Sequence, residues 1–344
     1  MADNGTLSEW PEKAEELKEQ LRRRRLEAND AQLRKVAAKL EDEQIHMKAR
    51  RTLKGHQAKV LHVAWASDKR HIVSSAQDGN VFIWDAFTSK KEVEIETPST
   101  CVTACDVSPS LEIMACGGLD NKCIAYPNIM TDPNPKKRTV AMHTKFVSAC
   151  AFVGLDHEIL TASGDTKCML CDVETCEPIH NFYGHTSDVL CLAVCPNEVG
   201  RVFASAGCDW TIRLWDTRSG LCSHILDGHT ADINDIRFMP TGDAVVTASD
   251  DGTCRVFDLR ANQELISLKK ESVVFPPCSA DVSLSGRLLF AGYMDHTIRV
   301  WDVLKGQNLA VLMGHDSCVT CVRVSPDGTA LCSSSWDGLI KVWA

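Results

Sequence analysis

Long apolar runs are missing from this 344-residue sequence, in which the longest extends only from Val189 to Cys195. A helix that crosses a bilayer needs roughly 18 consecutive apolar residues, so no membrane span is predicted. The acidic beginning, with Asp3 and Glu9, also lacks the basic and apolar regions of a secretory signal peptide. We therefore expect an intracellular protein.

A disulfide framework is not expected either, although the sequence contains seventeen cysteines. The odd number argues against complete pairing, and a chain this long buries enough surface, about 75%, to fold without disulfides or metal. In a reducing compartment cysteine serves as a small buried hydrophobe. Cys168 with Cys171 and Cys318 with Cys321 have CxxC spacing, but in strand-like runs such residues point to opposite faces. Neither pair is predicted to bind zinc, and no cofactor is predicted.

Basic residues are not in excess, since the formal net charge is −9 at pH 7. Residues 1–50 contain eleven basic and eleven acidic side chains, so the negative excess belongs to residues 51–344. Proteins that bind nucleic acid are expected to present a basic surface. Nucleic-acid binding is therefore not predicted.

Residues 1–49 are predicted to form a helical coiled-coil segment. No glycine occurs between Gly5 and Gly55, and the good helix formers Glu, Lys, Arg, Leu and Ala dominate. Apolar residues recur in alternating steps of three and four, which is typical of a coiled-coil seam, and a single stripe of this kind is marginal in water without a cover. Folding back onto the rest of the chain is the alternative to a partner helix. The residues that we assign to partner binding are Trp10, Ala14, Leu17, Leu21 and Ala28.

Residues 50–344 repeat one element, a turn aspartate followed six residues later by the end of a short β-run. Successive copies are 42 to 45 residues apart, and several begin with Gly-His and end with Trp-Asp. This period and these marks are typical of WD repeats, each about one four-stranded propeller blade. We therefore predict an all-β, seven-bladed WD-repeat β-propeller. The turn aspartates are Asp78, Asp120, Asp165, Asp209, Asp251, Asp295 and Asp337.

The resemblance to WD repeats implies a polar network inside the blades. A tight turn leaves amides that a short carboxylate can accept, and a buried carboxylate needs a donor such as an imidazole. The network would join the Gly-His histidine, a strand hydroxyl, the turn aspartate and the terminal tryptophan. The residues are His56, Ser74, Asp78 and Trp84 in the first copy, His185, Ser205, Asp209 and Trp215 in the fourth, and His315, Ser333, Asp337 and Trp343 in the seventh.

Ring closure is predicted to join the two ends of the repeat region. The last copy ends with its third strand at Trp343, and residues 50–54 are predicted to supply its missing outer strand. Such a closing strand leaves no open sheet edge between the first and last blades.

Serine, histidine and aspartate are also the residue types of a hydrolase triad. A catalytic site occurs once in a chain, whereas this set recurs in three copies. The sequence contains no GxSxG, GxxxxGK or HExxH motif. We therefore predict that the protein is not an enzyme.

Nearly the whole chain resembles the beta subunits of heterotrimeric G proteins. The similarity is carried by RRTLKGH (50–56), ACGGLDNKC (115–123), SDDGTCRVFDLRA (249–261) and SGRLLFAGY (285–293). The segments DVLKG (302–306) and RVSPDGTA (323–330) are most similar to the divergent beta-five subtype. The resemblance implies a non-catalytic subunit that binds a gamma chain, or the gamma-like domain of a regulator of G-protein signalling, through its amino-terminal helix.

The resemblance also implies a narrow top face that binds an alpha subunit or effectors. Cys101, Thr103, Leu61 and Asn80 replace Trp, Met, Tyr and Lys of conventional beta subunits at this face. Loss of a central aromatic residue removes on the order of 2 kcal/mol from an interface, which argues against conventional alpha-subunit binding. The family's contact positions match Lys59, Leu119, Asn121, Thr144, Asp188, Asp232, Asn234, Asp250 and Trp336.

Two rival functions fit the repeat region without this resemblance. A WD-repeat adaptor of another complex, such as a substrate receptor or a chromatin subunit, would need no gamma-like chain. A propeller enzyme would need one blade whose polar set departs from the repeat. If the resemblance holds, we expect a cytoplasmic protein held at the inner face of the plasma membrane by its partner, because the sequence has no CaaX cysteine of its own.

Overall fold

The computed structural model describes residues 45–132, 135–154, 156–197, 200–269 and 275–344, together with positions 13, 16, 17, 20, 23 and 37. Those six positions are helical, and the chain divides into two compact units, Met1–Glu41 and Asp42–Ala344. Of the predicted partner stripe only Leu17 is described, and it is 60% exposed. Trp10, Ala14, Leu21 and Ala28 lie outside the described residues, as does most of the predicted coiled coil. No helix in the described ranges combines the length and hydropathy that crossing a membrane requires.

The described residues of the second unit form 28 strands. They are β1 (Ala49–Lys54), β2 (Val60–Trp65), β3 (His71–Ala76), β4 (Asn80–Asp85), β5 (Lys90–Glu96), β6 (Val102–Val107), β7 (Ile113–Gly118), β8 (Lys122–Pro127), β9 (Arg138–Met142), β10 (Val147–Phe152), β11 (Glu158–Ser163), β12 (Lys167–Asp172), β13 (Pro178–Tyr183), β14 (Val189–Val194), β15 (Val202–Gly207), β16 (Ile212–Asp216), β17 (Cys222–Leu226), β18 (Ile233–Phe238), β19 (Ala244–Ser249), β20 (Cys254–Asp258), β21 (Gln263–Leu268), β22 (Pro277–Val282), β23 (Leu288–Tyr293), β24 (Thr297–Asp302), β25 (Gln307–Met313), β26 (Val319–Val324), β27 (Leu331–Ser335) and β28 (Leu339–Trp343).

These strands build seven four-stranded antiparallel sheets, so the prediction of an all-β, seven-bladed propeller is confirmed. Blade 1 contains β2 to β5, and each later blade takes the next four strands, up to β22 to β25 in blade 6. Blade 7 has the order β1-β28-β27-β26, so its outer strand comes from the beginning of the unit. In this closing strand, β1, Leu53 pairs with Ile340 and Thr52 pairs with Lys341.

The core lies between neighbouring blades. Middle strands such as β23 are buried along nearly their whole length, because both faces of each sheet pack against another blade. Seven hydrophobic clusters fill these spaces in the described part of the chain. Between blades 3 and 4, Phe182 and Phe203 meet edge to face with ring centroids 4.8 Å apart, and Trp215 packs beside them. Full burial of one such ring contributes about 1.5–3 kcal/mol to folding.

Candidate interaction face

The turn between the second and third strands has one geometry in all seven blades. The residue after the turn aspartate has a positive φ, between 62° and 81° in every copy. The carboxylate accepts the amide two residues later in six copies, as when Asn80 donates to Asp78 at 2.9 Å. A short acceptor side chain and a left-handed residue are what such a turn requires. Aspartate therefore recurs here, while the left-handed residue is glycine in three copies and varies in the others.

A second repeated bond ties this turn to the neighbouring loop. In all seven blades the residue before the turn aspartate donates its amide to the carbonyl of the residue before the first strand, as Trp336 does to Cys318 at 3.0 Å. We call these the pre-turn and pre-strand positions. Three of the nine predicted contact residues are at pre-turn positions and three at pre-strand positions. The pre-turn residues are Leu119, Asp250 and Trp336, and the pre-strand residues are Lys59, Asp188 and Asp232.

The predicted polar network has the same arrangement in blades 1, 4 and 7. In blade 4, the Trp215 indole donates to Ser205 at 2.8 Å, and Ser205 lies 2.6 Å from Nε2 of His185. Nδ1 of His185 lies 2.7 Å from Asp209. The corresponding separations are 2.8, 2.8 and 3.2 Å for Trp84, Ser74, His56 and Asp78. They are 2.8, 2.7 and 2.8 Å for Trp343, Ser333, His315 and Asp337.

The proton arrangement follows from burial. Burial is the main cause that lowers the pKa of His56, so its imidazole is neutral at pH 7 and has one N–H. That N–H is on Nδ1, beside the carboxylate of Asp78, and leaves Nε2 to accept the Ser74 hydroxyl. Burial alone would raise the pKa of Asp209 and Asp337, but histidine and backbone hydrogen bonds lower each to about 2. The network therefore provides hydrogen-bond partners for buried polar groups, and its repetition in several blades indicates a structural role.

Blades 3, 5 and 6 contain variants of this network, and the spacing of the repeat also indicates the threonine hydroxyls of blades 3 and 5. Thr161 replaces the serine beside His143, and Thr247 replaces it beside His229. Blade 6 has no such histidine, and Arg299 takes its place by donating to Asp295 at 2.7 Å. An arginine four residues after the turn aspartate does not by itself signal this replacement, because Arg213 and Arg255 have the same position in blades 4 and 5, which keep their histidines.

Trp336 and Lys59 form one contact on the face. The indole is 39% exposed, and the Lys59 ammonium lies over it at 3.9 Å from the ring centroid. A cation at this distance contributes about 0.5–1 kcal/mol at an exposed site. The contact crosses from blade 7 to blade 1.

The other predicted residues form a ring of polar contacts around the face. Asn234 donates to Asp250 at 2.6 Å, and Asn121 donates to the Thr144 carbonyl at 3.4 Å. Leu119 is 53% exposed. Two residues that the sequence prediction missed complete the ring: Lys145 pairs with Asp188 at 2.9 Å, and the Trp210 indole donates to Asp232 at 3.1 Å. Trp210, which is 49% exposed, follows a turn aspartate, where neighbours vary freely.

The four departures from conventional beta subunits also lie in or near this ring. Cys101 is at a pre-strand position and is partly buried. Thr103 is partly buried and donates its hydroxyl to the carbonyls of Gly117, at 3.2 Å, and of Val147 in the next blade. Leu61 lines the channel at the centre of the ring, and Asn80 begins β4. No aromatic ring stands at any of these four positions.

A charged cluster occupies the central channel, a cavity of about 350 Å³ between the first strands. Arg323 of blade 7 donates to Asp235 of blade 5 at 2.7 Å and to Ser279 of blade 6 at 2.9 Å. Burial, together with the charge of Arg323, lowers the pKa of His62 to about 3. Burial also raises the pKa of Asp106 to about 6, although two backbone amides donate to it. The sequence prediction did not include this cluster.

The CxxC cysteines point to different neighbouring blades. Cys321 lies 3.6 Å from the carbonyl of Val63 in blade 1, whereas Cys318 contacts Cys278 in blade 6. Cys168 packs between blades 3 and 4, and Cys171 packs between blades 2 and 3. No group of three or more potential metal ligands is present among the described residues.

Comparison with known proteins agrees with this architecture. The family model described as G protein beta WD-40 repeat protein matches residues 4–344. The guanine nucleotide-binding protein subunit beta-5b of Danio rerio is 49% identical over 321 residues, which cover 92% of this chain and 81% of the relative. The subunit beta-2 of Caenorhabditis elegans is 49% identical over 98% of this chain and 92% of the relative, and the subunit beta of Arabidopsis thaliana is 37% identical over 95% and 93%. The predicted resemblance is thus confirmed, and the chain belongs to the G protein beta WD-40 repeat family.

Proposed function

We propose that this protein is a non-catalytic beta subunit that pairs with a gamma chain, or with the gamma-like domain of a regulator of G-protein signalling, and modulates G-protein-coupled receptor signalling. Family membership supports the beta-type role. The observation that carries the binding role is the face itself, where exposed Trp336, Trp210 and Leu119 stand among paired charges. Buried interface energy concentrates on such aromatic anchors within a polar surround.

The amino-terminal helix is the proposed site of the gamma-type partner. Its stripe of Trp10, Ala14, Leu17, Leu21 and Ala28 has a coiled-coil period, and Leu17 is exposed. Through that partner the protein would be peripheral to the inner face of the plasma membrane. The alpha subunit and effectors are the proposed ligands of the face, with conventional alpha subunits bound weakly because of Cys101, Thr103 and Leu61.

Co-expression tests the partner proposal. The full chain is produced with a gamma chain, with a gamma-like domain, or alone, and soluble complex is measured. We expect one of the two partners to raise the yield at least tenfold, and L17D/L21D to abolish that gain. The matched control K18A/E19A changes the same predicted helix at positions off the stripe. A soluble monomer whose yield is unchanged by either partner would instead favour an adaptor of another complex.

Replacement of Trp336 tests the face. We expect W336A to weaken binding of the face's protein ligand about 30-fold, which corresponds to about 2 kcal/mol, without lowering the melting temperature. The control is F87A. Phe87 is 67% exposed and lies just beyond the last residue of β4, at the end of the strand away from the face. A large drop in the melting temperature of W336A would assign the indole to packing. Equal binding by both variants would place the ligand elsewhere.

A further inference from the structure

A repeated bulge aims one side chain of each blade at the next blade. The register of every first strand shifts after its first residue, so the second residue is the extra one, as with Cys278 between Pro277 and Ser279. Bulges of this kind redirect a side chain. Ser148 uses this position to donate to Val189 of the next blade at 2.6 Å, and Thr320 donates to Val60 at 2.8 Å. We call this the bulge position.

In blade 6 the bulge position is occupied by Cys278. The pre-strand position of blade 7, which faces this bulge, is occupied by Cys318. The Sγ atoms of Cys278 and Cys318 are 3.6 Å apart. Among the seven equivalent pairs, this is the one with two cysteines: Leu61 with Cys101, Thr103 with Phe146, Ser148 with Asp188, Leu190 with Asp232, Asn234 with Pro276, Cys278 with Cys318, and Thr320 with Lys59.

We propose that Cys278 and Cys318 are a redox modification site, at which a hydroperoxide forms a disulfide between blades 6 and 7. A bond of about 2.05 Å requires the sulfurs to approach by about 1.5 Å, within reach of side-chain rotation and a small strand shift. Cys278 is partly exposed and lines the central cavity, whereas Cys318 is buried, so a small oxidant would reach Cys318 from the side of Cys278. Side chains of β22 already bond the backbone of β26, as Ser279 accepts the Val322 amide at 3.1 Å, so the two strands are held side by side.

The surroundings distinguish the two sulfurs. Either sulfur could donate in this contact, and we take Cys278 as the donor because the charge of Lys59 favours a thiolate at Cys318. The hydrogen bond from Cys278 and the charge of Lys59 together lower the pKa of Cys318, although its burial acts in the opposite direction. The same hydrogen bond raises the pKa of Cys278. At Cys321 and Cys101 the effect of burial prevails, and their pKa is raised. Cys318 is therefore the nucleophile and Cys278 the resolving thiol.

The reaction balances with hydrogen peroxide as the oxidant. The Cys318 thiolate attacks one peroxide oxygen, the O–O bond breaks, and the hydroxide that leaves takes the proton of Cys278 to give water. The Cys278 thiolate then attacks the sulfenic sulfur of Cys318, the S–S bond forms and a second hydroxide leaves. Two electrons pass from the sulfurs to the peroxide. Because Trp336 donates its amide to the Cys318 carbonyl, the new bond would join blade 6 to a residue that is hydrogen-bonded to Trp336 of the face.

Peptide mapping tests the proposal on the full chain, purified with any chain that accompanies it. The protein is treated with hydrogen peroxide, free thiols are alkylated, and trypsin is added without reductant. We expect residues 271–287 joined to residues 306–323, and release of the link by dithiothreitol. Fragmentation between Cys318 and Cys321 must assign the link to Cys318. We expect it to form at least ten times faster than Cys101 is oxidised.

Variants separate the two roles. In C278S we expect Cys318 to be trapped by dimedone as a sulfenic acid, and in C318S we expect Cys278 to stay reduced. The control C101S removes the cysteine at the equivalent pre-strand position of blade 2 and should leave the link unchanged. Recovery of both cysteines alkylated after peroxide, or a link from Cys321 to either of them, would overturn the proposal. The wild-type map decides this point even where a variant fails to fold.

Discussion

Two kinds of environment in this protein keep a histidine side chain neutral, and the physical cause differs between them. His56 is buried in a blade and is held between Ser74 and Asp78, whose carboxylate needs its N–H. His62 lines the central channel, where Arg323 and the surrounding protein disfavour a second positive charge. The first histidine belongs to a repeated structural unit, and the second to a cluster that occurs once.

The pH dependence of stability should expose His62. Its folded pKa of about 3 is below the ordinary 6.5, so the unfolded chain binds the proton more readily and the free energy of unfolding falls as the pH drops from about 6.5. This loss is at most about 1.4 kcal/mol per pH unit. In H62Q we expect a correspondingly shallower decline between pH 6.5 and pH 4, measured by denaturant unfolding. The pKa of Asp106 is raised to about 6, so its protonation makes the folded state more stable as the pH falls, which is the opposite direction. This contribution is present in the wild-type protein and in H62Q alike. Parallel curves for the two proteins would contradict this assignment.

The sequence revealed one of these environments and concealed the other. His56, Ser74 and Asp78 could be found because their spacing recurs in other copies. His62 and Arg323 are isolated polar residues in the mostly apolar strands VLHVAW and VTCVRV, where such a side chain is expected to face solvent. In a closed ring such a side chain points to the central channel instead. Which charged side chains meet in the channel depends on how the first strands of different blades are aligned with one another. Such contacts leave no local pattern in the chain.

At the scale of elements, first strands and middle strands differ in what surrounds them. Middle strands have blades on both sides and are buried along nearly their whole length. In first strands some side chains are buried between blades and others point toward the channel. Repeat spacing therefore predicted the number of blades and the positions of their turns. It could not predict that Arg299 replaces a histidine in blade 6, because a long guanidinium reaches the turn aspartate from another strand position.

The closing strand offers a direct test at this scale. Leu53 is 1% exposed and packs between blades 7 and 1, whereas its neighbour Thr52 is only partly buried. We expect L53A to lower the free energy of unfolding by about 2–5 kcal/mol, because it removes apolar contacts and leaves a cavity. The control T52A should cost less than about 1 kcal/mol. Equal, small losses in both variants, measured by denaturant unfolding, would mean that the closing strand contributes little to the ring.

At the scale of the whole molecule, the channel cluster connects blades that are not neighbours. Arg323 and Asp235 are 88 residues apart, and their contact at 2.7 Å crosses from blade 7 to blade 5 with Ser279 of blade 6 between them. A ring of separate sheets thus has a polar centre as well as seven apolar seams. The charge of Arg323 is a principal reason that the pKa of Asp235 stays low despite burial.

Removal of Arg323 should therefore destabilise the whole ring. We expect R323M to lower the free energy of unfolding by about 3–5 kcal/mol, because the buried Asp235 loses the cation that donates to it and keeps only the charge of Arg237. The double variant D235N/R323M should recover part of that loss, and both can be compared by thermal and denaturant unfolding. If D235N/R323M were less stable than R323M, the cost would come from packing rather than from the unpaired charge.

The pairing of Leu53 with Ile340 has a consequence for the newly made chain. At a synthesis rate of about 5–20 residues per second, the closing strand waits about 15 to 60 seconds for β28 to leave the ribosome. During that interval its backbone hydrogen-bonding groups have no partner strand, and such an exposed edge invites pairing with other nascent polypeptides. Cellular yield of this protein should accordingly depend on factors that shield its leading segment until translation ends.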